Sequence, residues 1–314
     1  MHRLSIPTLT LALLSACSVP EATYETIQKD AAYRADVTTG AFAELDAGHC
    51  YYELGGPAYA ESEQALLVLV HGFSVPSYIW DLTFQEAVRR GRPVLRLDLF
   101  GRGHSSNPDT NYDPDLYADQ IIALLDHLEY QRPVHLVGLS MGGVVVARTA
   151  ARHPARIQTL VMVDPSGFQP GFGQDLDPAP LGADEIAAFI EADFPSRAES
   201  QLEDFLDPGP FAHWPELYRP LLQHRGFARA LLSTIRCSPP MDGDHRLIQQ
   251  ASFPVHLLWG RKDTVIPLAE SLPNVQERLP RGEVHVIEEC GHLPHMEQRA
   301  AFESLLFDGI LGRD

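Results

Sequence analysis

The chain has 314 residues, 45% of them hydrophobic and 9% aromatic, and carries a formal charge of −18 at neutral pH. That length is ample for one large core. The acidic balance argues against a nucleic-acid partner, against charge-driven adsorption to an anionic membrane, and against polyanionic substrates. At the N-terminus, Met1-His2-Arg3 leads into a mainly apolar stretch, residues 4–14, interrupted by Pro7. It is too short to span a bilayer and reads as the apolar region of a secretory signal. The residues from 18 to about 36 read as a polar tether.

Predicted strands follow at 40–45, 49–55, 65–70, 94–98, 134–137, 157–163, 255–259 and 283–287, alternating with helical segments. That alternation implies an α/β fold: an eight-stranded, mostly parallel sheet covered on both faces. Residues 167–250 break the rhythm. They are rich in Pro, Phe and acidic residues and carry helical patches at 183–192 and 221–235. They lie between two core strands, so they form an insertion into a single domain, 37–314, and not a second domain.

Gly138-Leu139-Ser140-Met141-Gly142 closes the strand at 134–137 and opens a helix expected at 141–153. A strand that turns abruptly into a helix lifts the serine hydroxyl onto the tip of the turn, above the positive end of the new helix. A serine hydroxyl needs a base to take its proton and a third group to orient that base. Asp263 lies on a loop just past the strand at 255–259, and His292 on a loop just past the strand at 283–287. With fourteen histidines in the chain, His292 is singled out by position and not by type. A rival acid, Asp164, follows the strand at 157–163; the order serine, acid, histidine and the loop context favour Asp263.

These residues, with His71-Gly72-Phe73, the segment Asp98-Leu99-Phe100-Gly101-Arg102-Gly103-His104-Ser105, and Gly291-His292, resemble the alpha/beta-hydrolase superfamily from about residue 40 to the C-terminus. Within it the chain looks most like the esterase, lipase and carbon–carbon bond hydrolase branch. Haloalkane dehalogenases and epoxide hydrolases of this fold carry Asp as nucleophile, so Ser140 argues against both. The resemblance implies Ser140 as nucleophile, His292 as base and Asp263 as its orienting acid. It implies an oxyanion hole from the Phe73 and Met141 backbone amides, typically worth about 3 kcal/mol per donor. The Asp98 loop has a structural role there, and the insertion is a helical cap over the site. Phe189, Phe194, Phe205, Phe211, Trp214, Phe227, Leu231 and Leu232 are then candidates either for an acyl pocket or for the cap's own small core.

Leu14-Ser15-Ala16-Cys17 resembles the bacterial lipobox, which implies a signal peptide over 1–17, acylation of Cys17 and a lipid-anchored place in the bacterial cell envelope. Cys50, Cys237 and Cys290 remain; a Cys237–Cys290 disulfide stays open. No Cys/His spacing resembles a zinc module, and neither metal nor cofactor is expected. The expected activity is hydrolysis of a small-molecule carboxylic ester with an apolar acyl group. The alternatives are carbon–carbon bond hydrolysis of a vinylogous diketone, or a catalytically silent, envelope-tethered binding module.

Overall fold

The structure, a computed structural model, describes residues 24–313; the signal and lipobox segment lies outside them. Eight strands form one sheet in the order β1-β2-β4-β3-β5-β6-β7-β8. They are β1 (Ala41–Leu45), β2 (Gly48–Gly55), β3 (Leu67–Val70), β4 (Val94–Leu97), β5 (Val134–Leu139), β6 (Ile157–Val163), β7 (Val255–Gly260) and β8 (Glu283–Ile287). β2 runs antiparallel to β1 and β4, and the remaining pairs are parallel. The central strands are buried along their whole length, as continuous apolar runs demand when both faces are covered. Val68 and Val70 enter one core while Leu67 and Leu69 enter the other, which is the period-two alternation of a pleated strand.

The helices are α1 (Ala31–Asp36), α2 (Asp81–Arg89), α3 (Pro114–His127), α4 (Met141–Arg152), α5 (Ala183–Ser200), α6 (Trp214–Tyr218), α7 (Phe227–Arg236), α8 (Asp242–Gln250) and α9 (Leu268–Arg278), followed by a helical C-terminal segment, 294–313. The insertion between β6 and β7 carries α5 to α8. Its expected patch at 221–235 is divided. A 3-10 turn, Arg219–Gln223, ends before Gly226, whose φ of +85° breaks the chain direction ahead of α7. The last helix does not belong to the cap: Ile248 of α8 joins the core that contains α4, and Asp244 pairs with Arg148 of α4 at 3.1 Å.

Residues 24–36 are not a free tether. Ile27 bridges in parallel to His224, with Glu25 N–H donating to Leu222 O at 3.0 Å and Ile27 N–H to Gln223 O at 2.7 Å. Tyr24 packs edge-on against Phe194 of the cap. Lys29 Nζ donates to Ser105 O at 2.6 Å and Asn107 Oδ1 at 2.8 Å, and burial pushes its pKa down to about 7. The segment therefore straps the cap to the loop after β4. The Glu25 carboxylate accepts from the Gly226 and Ala228 amides at 3.0 and 2.6 Å, an anion at the start of α7 where the helix favours one. Glu25→Ala is expected to cost about 1–2 kcal/mol by leaving both amides unpaired. Scanning calorimetry should show a melting temperature lower by a few degrees; an unchanged transition would mean that the strap adds no stability.

The three described cysteines are buried free thiols, so Cys237 and Cys290 form no disulfide here.

Candidate active site

The C-terminal ends of β3, β5, β6, β7 and β8 point the same way. The loops that leave them carry Phe73, Ser140, Asp164, Asp263 and His292, so parallel pairing alone gathers these residues at one end of the sheet. Ser140 occupies a strained turn, φ 55° and ψ −119°, directly before α4. Its N–H donates to Val163 O at 2.8 Å, and its carbonyl accepts from Gly143 and Ser166. The flanking glycines are required by contact. A Cβ on Gly138 would lie 2.3 Å from Gly142 O, and one on Gly142 would lie 2.6 Å from His71 O.

His292 Nδ1 lies 2.8 Å from Asp263 Oδ2, with both residues buried. The other Asp263 oxygen accepts the Val265 and Ile266 amides at 2.8 and 2.9 Å, so the carboxylate is held along both edges. Burial opposes protonation of His292. The hydrogen bond that His292 donates to Asp263 and the negative fields of Asp263, Asp204 and Glu297 outweigh it and raise its pKa above the usual 6.5. Glu297 also accepts the Gly291 and Leu293 amides at 3.1 and 3.4 Å and pins the histidine loop on both sides.

Asp164 stands in the same cluster without bonding the histidine. One of its oxygens accepts Gly260 N–H at 2.8 Å. Burial, with the Asp263 charge beside it, drives its pKa well above the ordinary carboxyl range. Burial therefore favours the neutral form of Asp164, and Asp263 is the acid that bonds the histidine.

His71 plays a supporting part. Its Nδ1–H donates to Gly72 O at 2.8 Å and its Nε2 accepts Leu99 N–H at 2.9 Å, so the ring bridges the loops after β3 and β4. Burial lowers its pKa to about 4, which keeps this neutral tautomer in place. Asp98 accepts the Ser77 and His104 amides, each at 2.8 Å, which is the structural role expected for it. A residue the sequence did not single out is Arg102. Fully buried, it donates to Phe73 O at 2.6 Å, Thr234 Oγ1 at 2.9 Å and the Tyr117 hydroxyl at 3.2 Å. It fixes the Phe73–Ser74 peptide and ties it to α7.

Ser140 lies between two cavities. The larger, about 450 Å³, is bordered by Phe73, Met141, Val144, Phe172 and Ile235, with polar atoms from Ser166, Gln169 and Ser238. The smaller, about 100 Å³, is bordered by Val75, Ile79, Gln201, Asp204, Val265 and His292. None of the eight cap side chains put forward from the sequence lines either cavity. Phe194, Phe205, Trp214, Phe227 and Leu231 are buried, with Phe189 and Phe211 packed against the same cluster, and the rings meet one another as the cap's own core. The walls come instead from the loop at 166–175 and from the C-terminal end of α7, where an irregular backbone gives no periodic signal.

A mostly parallel, doubly covered sheet with a serine on the turn from β5 into a helix, and an acid-paired histidine three strand-end loops further along the same edge, defines an alpha/beta hydrolase. The chain belongs to the alpha/beta hydrolase family, whose model matches residues 67–305. It is 29% identical over 266 residues to 2-hydroxymuconate semialdehyde hydrolase of a Pseudomonas species, covering 79% of this chain and 87% of that one. It is 27% identical over 248 residues to Lipase 3 of a Moraxella species, covering 76% of each. In fold it is similar to the enol-lactonase of Burkholderia xenovorans, with a TM-score of 0.70 at 19% identity over 86% of this chain and 99% of that one.

Proposed function

We propose that this chain is a cofactor-independent serine hydrolase that cleaves carboxylic esters carrying an apolar acyl group. The observation that carries the reading is the 2.8 Å pairing of His292 with a fully hydrogen-bonded Asp263, beside a cavity that Ser140 and His292 share. Ser140 Oγ attacks the ester carbonyl while His292 Nε2 takes its proton. Asp263 holds the Nδ1–H tautomer and stabilises the imidazolium that forms. The Phe73 and Met141 amides receive the oxyanion. His292 then returns the proton to the leaving alcohol, and the acyl-enzyme is released by water that His292 activates in turn.

The division of the cavity supports an assignment of the two halves of the substrate. The leaving oxygen must meet His292, which borders the smaller lobe. The acyl chain takes the larger lobe, whose volume lies within the usual range for small-molecule sites. Acylation at Cys17 fits the same reading. Tyr24 packs on the cap, and seven residues reach at most about 25 Å, so a lipid anchor at Cys17 would hold the cap near an envelope membrane.

The test is hydrolysis of nitrophenyl esters from acetate to palmitate across pH. The expected optimum is a medium-length acyl group. Because only neutral His292 can accept the serine proton, kcat/KM is expected to rise with pH through an apparent pKa above 6.5. A folded protein that turns over no ester but cleaves a vinylogous diketone would transfer the reading to carbon–carbon bond hydrolysis, which the same three residues can serve. Inertness to both would leave a binding role.

A further inference from the structure

At the N-terminal ends of β7 and β8, far along the strands from Asp263 and His292, three side chains converge that the ester chemistry does not use. The register pairs His256 with Glu283 and Leu258 with His285. Glu283 and His285 are two residues apart and share one face of β8. His256 Nδ1 lies 3.2 Å from His285 Nε2. Glu283 Oε2 lies 3.7 Å from the first nitrogen and 3.9 Å from the second.

We propose that His256, Glu283 and His285 form a binding site for a divalent late first-row transition-metal ion of the zinc class. The circle through three points at those separations has a radius of about 2.1 Å. That radius equals the bond length zinc takes to imidazole nitrogen, about 2.0–2.1 Å, and to carboxylate oxygen, about 2.0–2.2 Å. An ion at the centre would be equidistant from the three donor atoms and would replace the hydrogen bond that now joins the two imidazoles. Moving the ion slightly out of that plane, with a small closure of the ligands, gives three corners of a tetrahedron and leaves the fourth for water. Two imidazoles and one carboxylate are the donor set that suits zinc, copper or nickel over the harder calcium and magnesium.

His256 is buried and held in place by the sheet, while Glu283 is exposed and borders a surface cleft of about 280 Å³ with Val255 and Arg281. The site therefore combines a rigid ligand with one exposed to solvent. β8 is the edge strand of the sheet, so the bound ion would clip that edge to its neighbour and stabilise the folded chain by mass action. Linear spacing does not announce the site, because its ligands come from two paired strands.

The experiment is calorimetric titration of the metal-free, tag-free full chain with zinc chloride at neutral pH, alongside His285→Ala, Glu283→Gln and His292→Ala. One zinc per chain is expected in the wild type and in His292→Ala, which excludes binding at the Asp164, Asp263 and His292 cluster. Affinity should fall by about tenfold or more in His285→Ala and in Glu283→Gln, at least the loss that follows removal of a ligand's supporting partner. Zinc should raise the melting temperature of the wild type and leave that of His285→Ala unmoved, while ester hydrolysis by zinc-free His285→Ala stays at the wild-type rate. Absence of binding below millimolar zinc, equal affinity in the wild type and both β8 variants, or loss of the binding event in His292→Ala would overturn the proposal.

Discussion

Ser140→Ala is expected to lower kcat for ester hydrolysis by about 10⁶-fold, the loss typical when the nucleophile of such a trio is removed. The fold should survive. Alanine meets the same backbone conformation at φ 55°, and the turn is held by main-chain bonds through Val163, Gly143 and Ser166 that the substitution does not touch. The melting temperature should therefore stay within a degree or two of wild type. Residual turnover would come from the oxyanion donors and substrate binding alone. Hydrolysis at more than about a hundredth of the wild-type rate would place the nucleophile elsewhere.

The second large effect separates two buried aspartates that share one cluster. Asp263→Asn is expected to cut kcat by about 10⁴-fold, because an amide facing Nδ1 favours the wrong imidazole tautomer and no longer stabilises its cation. Asp164→Asn should cost less than about tenfold, since a neutral carboxylic acid and an amide are near-isosteric and of equal charge. The acceptor for Gly260 N–H is retained in that variant. Parallel kcat and KM measurements on the two variants check this. If Asp164→Asn were the more damaging, Asp164 would be the acid that serves His292 and the roles of the two acids would be exchanged.

The parts of this molecule that sequence reasoning reaches are those governed by local pattern. Leu67–Val70 is apolar throughout, and Val134–Leu139 is apolar apart from the buried His135, so strand positions and their parallel arrangement were legible. The catalytic candidates were legible because each follows a strand end, and parallel strands bring their ends together. What lay beyond reach depends on packing between distant segments. The cap aromatics pack on one another and not on the substrate cavities: Phe194 meets Phe189 and Phe227, and Trp214 meets Phe205. Residues 24–36 read as part of a polar tether, yet Glu25 and Lys29 find partners in the cap and in the loop after β4. Arg102 reads as one member of a glycine-rich loop; only its burial shows that it braces Phe73.

The central claim is that Ser140 is a histidine-activated nucleophile, and covalent labelling tests it most directly. The folded protein is treated with a fluorophosphonate, its intact mass is measured and the modified peptide is sequenced. The account predicts one adduct per chain, on Ser140, that is absent from Ser140→Ala and forms far more slowly in His292→Ala. No adduct on the folded protein, or an adduct on any residue other than Ser140, would contradict it.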